Sequence, residues 1–152
     1  VLFQGACRIS AILAGASEEK ERALAQYGYH LGMAFQMVDD LLDYTFSTQI
    51  LGKKVGADLR EGKLTLPVIV ALNQAEPGDR TLMEKIIRDE KFTKNDFRWL
   101  VVKIIEHGGL DYTRTLAFAH IANARQSLDL FPVSPTRDIL FDIAGYALER
   151  TH

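Results

Sequence analysis

Three carboxylates lie within five residues of a segment that otherwise reads as a helix: Asp39, Asp40 and Asp43. Because a helix turns about 100° per residue, Asp43 lies about 40° from Asp39, and Asp40 about 100° from it. Gln36 and Gly32 share this face, at about 60° and 20° from Asp39. The opposite face is apolar and is expected to pack into a core; it carries Leu31, Ala34, Phe35, Val38, Leu41 and Leu42.

Asp39 and Asp43 are neighbours one helical turn apart, so their like charges weaken an isolated helix. A hard cation offsets that repulsion, and Mg²⁺ prefers a few carboxylates together with water and phosphate oxygens. A solvated acidic surface is the alternative interpretation at this point, because acidic clusters are common on helix surfaces.

A segment rich in glycine and cations follows the acidic helix. Residues 52–67 read GKKVGADLREGKLTLP, with three glycines and four cations. FQxxDDxLD at residues 35–43, followed by GKxxGADLxEGKxTLP at residues 52–67, resembles the second aspartate-rich region of the trans-isoprenyl diphosphate synthases, the polyprenyl synthetase family. The resemblance is specific over residues 6–70 and diffuse after them.

The resemblance implies a fold class, a reaction and partners. It implies an all-α helical bundle, part of the isoprenoid synthase fold. The implied reaction is a Mg²⁺-dependent prenyl transfer, in which an allylic diphosphate condenses with isopentenyl diphosphate to give a polyprenyl diphosphate. It also implies that the full-length enzyme is a homodimer.

The resemblance assigns roles to individual residues. The implied metal ligands are Asp39, Asp40, Asp43 and Asp58. Asp39 is also an implied catalytic residue and coordinates the metal directly, whereas Asp58 acts through water. The leaving diphosphate is expected to contact Lys53 and Lys63, as catalytic and substrate-binding residues, and Gln36. For the neighbouring Lys54 the preferred interpretation is exposed loop charge.

The sequence departs from the family pattern in one respect. The family uses two aspartate-rich motifs on facing helices, whereas Asp39-Asp40 is the only Asp-Asp pair here, and 38 residues precede it. Residues 1–152 therefore resemble the carboxy-terminal portion of a synthase, inactive alone. The alternatives are a non-catalytic helical interaction module or small subunit derived from the family, and a bundle with an unrelated acidic face.

Composition excludes several other classes. The net charge of −2 does not favour nucleic-acid binding, and no apolar run approaches the roughly 20 residues that span a bilayer. A single cysteine, Cys7, cannot form an internal disulfide and fits a reducing, cytoplasmic compartment. Residues 1–5 match the recognition sequence of a viral protease used to remove tags, and no function is assigned to them.

Capping signals and periodicity predict helices and no strands. Gly28 and Gly32 in the acidic helix predict close approach by another helix or by a ligand. We expect a mobile lid at residues 47–63, and Ile139, Ile143, Tyr146 and Ala147 facing inward on the last helix. The predicted helices are 6–14, 18–44 after Ser17, 66–75, 81–89, from Thr93 to His107, 110–130, and one that begins at Pro135 after the capping residue Ser134.

Overall fold

The computed structural model describes residues 1–45 and 57–149. These residues form helices and contain no strand, which confirms the predicted all-α class. The helices are α1 (Leu2–Leu13), α2 (Glu18–Thr45), α3 (Ala57–Arg60), α4 (Leu66–Gln74), α5 (Pro77–Arg88), α6 (Lys94–Glu106), α7 (Gly109–Ser127) and α8 (Pro135–Glu149).

The helices fall into two compact units. The first unit contains Val1–Val38 and Leu116–His152, and the second contains Asp39–Thr115. Helices α2 and α7 each contribute to both units.

The core of the first unit joins α2, α7 and α8. Its fully buried members include Ala34, Ala124 and Ala144, whose small side chains let helices approach closely. The Tyr27 hydroxyl donates a hydrogen bond of 2.8 Å to the Leu140 carbonyl. The apolar face predicted for α2 is confirmed in this unit, since Leu31, Ala34 and Val38 are buried.

The core of the second unit is built on α6. Helices α4 and α5 pack against it, and Leu100 and Ile104 are fully buried there. Asp79 of α5 accepts hydrogen bonds from Lys103, at 3.1 Å, and from His107, at 3.0 Å, and so ties the two helices together. His107 follows the last residue of α6, as its position before two glycines predicted.

Three predicted helix starts are confirmed by their caps. Ser17 Oγ accepts from the Lys20 amide at 3.5 Å. Thr93 and Asp96 form a reciprocal capping box at the start of α6. Ser134 Oγ accepts from the Arg137 amide at 3.2 Å, with a proline at the first position of α8.

The inward face predicted for α8 is wrong at three of four positions. Ile139, Ile143 and Tyr146 are 58%, 46% and 65% exposed, and only Ala147 is buried. Helix α8 carries two adjacent apolar rows, and the row that packs inward contains Ala144 and Ala147, whose small side chains permit close contact. The inward residues are Leu140, Phe141, Ala144, Ala147 and Leu148.

Two other boundaries differ from the prediction. Helix α5 begins at Pro77 rather than Thr81, because proline fits the first turn, where its missing N–H costs nothing. Of the expected lid at residues 47–63, residues 57–63 are described and begin with the helical turn α3, and residues 47–56 lie outside the described residues.

Candidate functional site

The acidic residues lie at the carboxy-terminal end of α2. Asp39 is exposed, Asp43 is half-buried, and Asp40 is 8% exposed. A helix carries partial negative charge at this end and favours cations there, yet the last turn of α2 contains no basic residue. The three carboxylates and the helix end both contribute negative potential, which favours positive charge at this position.

Tyr44 anchors this end of α2 in the core of the second unit. Its ring stacks on Phe97 with centroids 6.3 Å apart, and its hydroxyl lies 2.8 Å from the hydroxyl of Thr65. Burial raises the pKa of the Tyr44 hydroxyl, the Thr65 hydrogen bond opposes that rise, and the charges of Asp43, Asp40 and Asp58 add to it. The hydroxyl is therefore a neutral group that lies within the field of the carboxylates.

Asp58 and Lys63 are brought together by the way α3 ends. The Lys63 amide donates to the Asp58 carbonyl at 2.9 Å, and the Gly62 amide donates to the Leu59 carbonyl at 3.1 Å. This pair of bonds is a Schellman motif, which needs one residue in the left-handed backbone conformation. Gly62 adopts that conformation, with φ of 76°. The sequence from Asp58 to Lys63 therefore folds the lysine back toward the aspartate.

The Lys63 ammonium lies among carboxylates. It is 2.7 Å from Glu61 and 3.3 Å from Asp58, and hydrogen bonds to these two groups raise its pKa. Lys63 is exposed. A polyanion that approaches α3 therefore meets a permanently charged, accessible ammonium group that can exchange its partners.

Five of the predicted site residues lie in the same unit of the structure. Asp39, Asp40, Asp43, Asp58 and Lys63 all belong to the second unit. Gln36 is an exposed residue of α2 in the first unit. Lys53 and Lys54 lie outside the described residues.

The oxygen donors present suit a hard cation. Mg²⁺ is usually held by one or two carboxylates, with waters and substrate phosphates in its other positions, and Asp39 and Asp43 offer such carboxylates. Over residues 1–45 and 57–149, no group of three or more His, Cys, Asp or Glu side chains is arranged to hold a metal ion. In the same residues no helix is both long and apolar enough to cross a membrane.

Sequence reasoning missed a pair of histidines. His30 of α2 and His120 of α7 have their Nδ1 atoms 2.8 Å apart, in the first unit. The Tyr29 ring contacts both, at centroid distances of 5.1 and 6.1 Å. Burial lowers the pKa of each histidine, and for His30 the charge of His120 lowers it further. Local periodicity could not reveal two residues 90 positions apart.

Comparison with known proteins identifies relatives along the whole chain. The Polyprenyl synthetase family profile matches residues 1–104. Geranylgeranyl diphosphate synthase from Methanosarcina mazei is 38% identical over 152 residues, which cover 100% of this chain and 45% of that protein. The chain thus spans just under half the length of the curated relatives it matches.

Solved structures agree with this result. A decaprenyl diphosphate synthase from Rhodobacter capsulatus superposes with a TM-score of 0.90 at 38% identity, covering 99% of this chain and 46% of that one. A polyprenyl synthase from Caulobacter crescentus, complexed with calcium and isoprenyl diphosphate, gives a TM-score of 0.88 at 39% identity, with coverage of 99% and 46%.

Proposed function

The chain belongs to the polyprenyl synthetase family, and on that premise we propose that residues 1–152 form the carboxy-terminal portion of an isoprenoid synthase domain that catalyses prenyl transfer. The observation that carries the proposal is the acidic end of α2, where Asp39, Asp40 and Asp43 lie together within the last two turns of the helix. The substrates are an allylic diphosphate and isopentenyl diphosphate.

The proposed reaction separates charge before it forms a bond. The allylic carbon–oxygen bond breaks heterolytically and its electron pair leaves with the diphosphate. The double bond of isopentenyl diphosphate then supplies the pair for the new carbon–carbon bond, and a proton is lost to restore a double bond. The protein must therefore stabilise a departing polyanion and keep water from the allylic cation.

Side chains of the second unit are suited to hold the leaving group. Bound Mg²⁺ would supply Lewis-acid stabilisation of the diphosphate oxygens. Asp39 and Asp43 would hold the ion, with Asp40 and Asp58 in support, and Lys63 would place a compact positive charge on the same oxygens. Lys53 and Gln36 complete the proposed diphosphate contacts.

Three further parts of the proposal rest on the family resemblance. They are the identity of the ion as Mg²⁺, a homodimeric full-length enzyme, and a cytoplasmic location, which the single cysteine also favours. The calcium and isoprenyl diphosphate in the Caulobacter crescentus protein support a divalent cation and a diphosphate as ligands.

Steady-state kinetics of the full-length enzyme test the role of the acidic face. We expect Asp39→Ala to lower turnover by about 10²–10³, because the lost interaction acts on charge that develops in the transition state. Asp40→Ala should lower turnover less but reduce stability more, since Asp40 is buried and Asp39 is exposed. Turnover at saturating Mg²⁺ and thermal unfolding should be measured on the same preparations.

Glu19→Ala is the matched control, since it removes an exposed carboxylate from the opposite end of the same helix. A larger loss of turnover with Asp40→Ala than with Asp39→Ala would contradict the assignment of Asp39 as principal ligand. Absence of prenyl transfer by the wild-type full-length protein would overturn the proposed function and favour a non-catalytic interaction module.

A further inference from the structure

One buried hydrogen bond joins the two segments that carry the proposed site. Tyr44, which follows Asp43 on α2, is 6% exposed, and Thr65, two residues after Lys63, is 8% exposed. Their hydroxyl oxygens are 2.8 Å apart, across 21 positions of the sequence. The bond therefore connects the carboxylate-bearing helix directly to the lysine-bearing segment.

Thr65 uses its hydroxyl for this contact instead of for a local one. It occupies the N-cap position of α4, where a threonine oxygen normally accepts a backbone N–H of the first turn. In the described part of the chain, the Thr65 side chain makes no such capping bond. Its carbonyl still accepts from the Val68 and Ile69 amides, each at 3.1 Å, so the helix start is kept while the hydroxyl turns toward Tyr44.

The position of Thr65 constrains the position of Lys63. Only Leu64 separates them, and Lys63 is held on its other side by the backbone bond from its amide to Asp58. The Tyr44 ring is fixed by burial and by its stack on Phe97. The segment from Asp58 to Thr65 is thus fastened at both ends. At one end the Lys63 amide bonds to Asp58, and at the other the Thr65 hydroxyl bonds to Tyr44 of α2.

We propose that Tyr44 and Thr65 are a positioning pair that sets the placement of Lys63 relative to Asp39 and Asp43, so that the lysine and the carboxylates act on the same diphosphate. This inference rests on the proposed prenyl transfer. Neither hydroxyl is required to touch substrate. The pair acts by fixing the position of the lysine-bearing segment relative to the carboxylates of α2. This position matters because small displacements of catalytic groups cause large losses of rate.

The test compares Tyr44→Phe, Thr65→Val and the double variant in the full-length enzyme. Each single substitution removes one hydroxyl and keeps the volume of the side chain close to the original. We expect each to lower kcat by about 10-fold, with KM for the allylic diphosphate changed far less. The double variant should lose no more than the worse single variant, because all three lack the same bond.

A second readout uses the 152-residue chain without substrate or metal. The Gly62 and Lys63 amides are hydrogen-bonded within the fastened segment, so their hydrogen exchange reports its rigidity. We expect Tyr44→Phe and Thr65→Val to accelerate exchange at these two amides by a similar factor, and the double variant to accelerate it no further.

Two matched controls remove comparable buried bonds elsewhere. Tyr27→Phe removes a bond of 2.8 Å to the Leu140 carbonyl, and Thr113→Val removes a bond of 2.8 Å to the Gly109 carbonyl. Both should keep wild-type kcat and wild-type exchange at Gly62 and Lys63, even where they lower stability. Equal losses of kcat in the controls would show that stability alone explains the effect.

The outcomes separate this inference from the proposed function. If kcat and amide exchange are unchanged in Tyr44→Phe and Thr65→Val, or if the two losses add in the double variant, the pair does not position Lys63 and the inference is overturned. If the wild-type enzyme transfers no prenyl group, the proposed function fails, and amide exchange still decides whether the pair holds the lysine segment.

Discussion

At the scale of single residues, the His30–His120 contact makes the first unit sensitive to acid. One imidazole donates to the other across 2.8 Å, so the contact needs at least one neutral ring. The pKa of both groups is lowered in the fold by burial, with the charge of His120 as a second cause for His30. The Tyr29 ring meets both imidazoles in an edge-type geometry and carries no charge that would stabilise a protonated ring.

We expect the free energy of unfolding to fall as pH is lowered from 7.5 to 5.5. The unfolded chain binds protons at these histidines with a pKa of about 6.5, and the folded chain binds them only at lower pH. The stabilisation is therefore complete above the unfolded pKa and is lost as pH falls from that value toward the folded pKa values. Denaturant unfolding at several pH values measures this slope.

The double variant His30→Asn/His120→Asn supplies the comparison for that measurement. Asparagine places a polar side-chain atom near the position of Nδ1 but does not titrate in this range. The double variant should show a shallower slope between pH 7.5 and 5.5. An unchanged slope would assign the acid sensitivity to other groups.

Residue-level prediction succeeded where the information was local. The placement of Leu31, Ala34 and Val38 on a buried face follows from helical periodicity, and these residues are buried. The His30–His120 contact and the Tyr44–Thr65 bond depend on how distant segments pack, which periodicity does not encode. Thr65 lies inside the recognised motif and Tyr44 directly follows its acidic part, but their hydroxyls carry no local signal that pairs them.

At the scale of elements, the contact between α1 and α2 explains one glycine that the sequence left ambiguous. A Cβ at Gly28 would lie 2.5 Å from the Phe3 carbonyl oxygen, 2.9 Å from Cys7 Sγ and 2.9 Å from Gln4 Cα. Two of these three atoms belong to the α1 backbone and cannot move independently. Close helix packing, rather than a ligand, therefore accounts for Gly28.

We expect Gly28→Ala to destabilise the chain by about 1–3 kcal/mol, because overpacking between helices outweighs the better helix propensity of alanine. Gly78→Ala is the matched control: Gly78 also lies in a helix, and a Cβ there meets nothing within 4 Å. The control should be neutral or slightly stabilising. Equilibrium unfolding measures both, and a Gly28→Ala variant as stable as wild type would show that α1 does not pack as described.

Element boundaries were predictable where a side chain marked them. Ser17, Thr93 and Ser134 each cap a helix as their residue types indicated. The orientation of α8 was not predictable, because its two apolar rows are nearly equivalent by periodicity. The choice between them depends on how α8 packs against residues distant in sequence, and Ala144 and Ala147 lie on the row that is buried.

At the scale of the whole molecule, the positions of the proposed metal-binding carboxylates limit the reaction that this chain could catalyse by itself. The proposed site carries its metal-binding carboxylates at the end of one helix and at α3, and the chain spans 45% of its Methanosarcina mazei relative. The family resemblance implies a second aspartate-rich helix facing the first, and Asp39-Asp40 is the only Asp-Asp pair in this sequence. One acidic helix can bind a diphosphate from one side only.

We therefore expect no measurable prenyl transfer by the purified 152-residue chain supplied with Mg²⁺, isopentenyl diphosphate and an allylic diphosphate. A leaving diphosphate stabilised from one side retains uncompensated charge, and the allylic cation beside it stays open to water. Adding the upstream half of a synthase, in the same chain or as a second polypeptide, should restore product formation. Asp39→Ala in the restored enzyme should abolish most of the restored product formation. That loss would show that the activity depends on this chain as well as on the added half. Robust turnover by the 152-residue chain alone would mean that its single acidic helix is sufficient, and that the requirement for a facing motif is wrong.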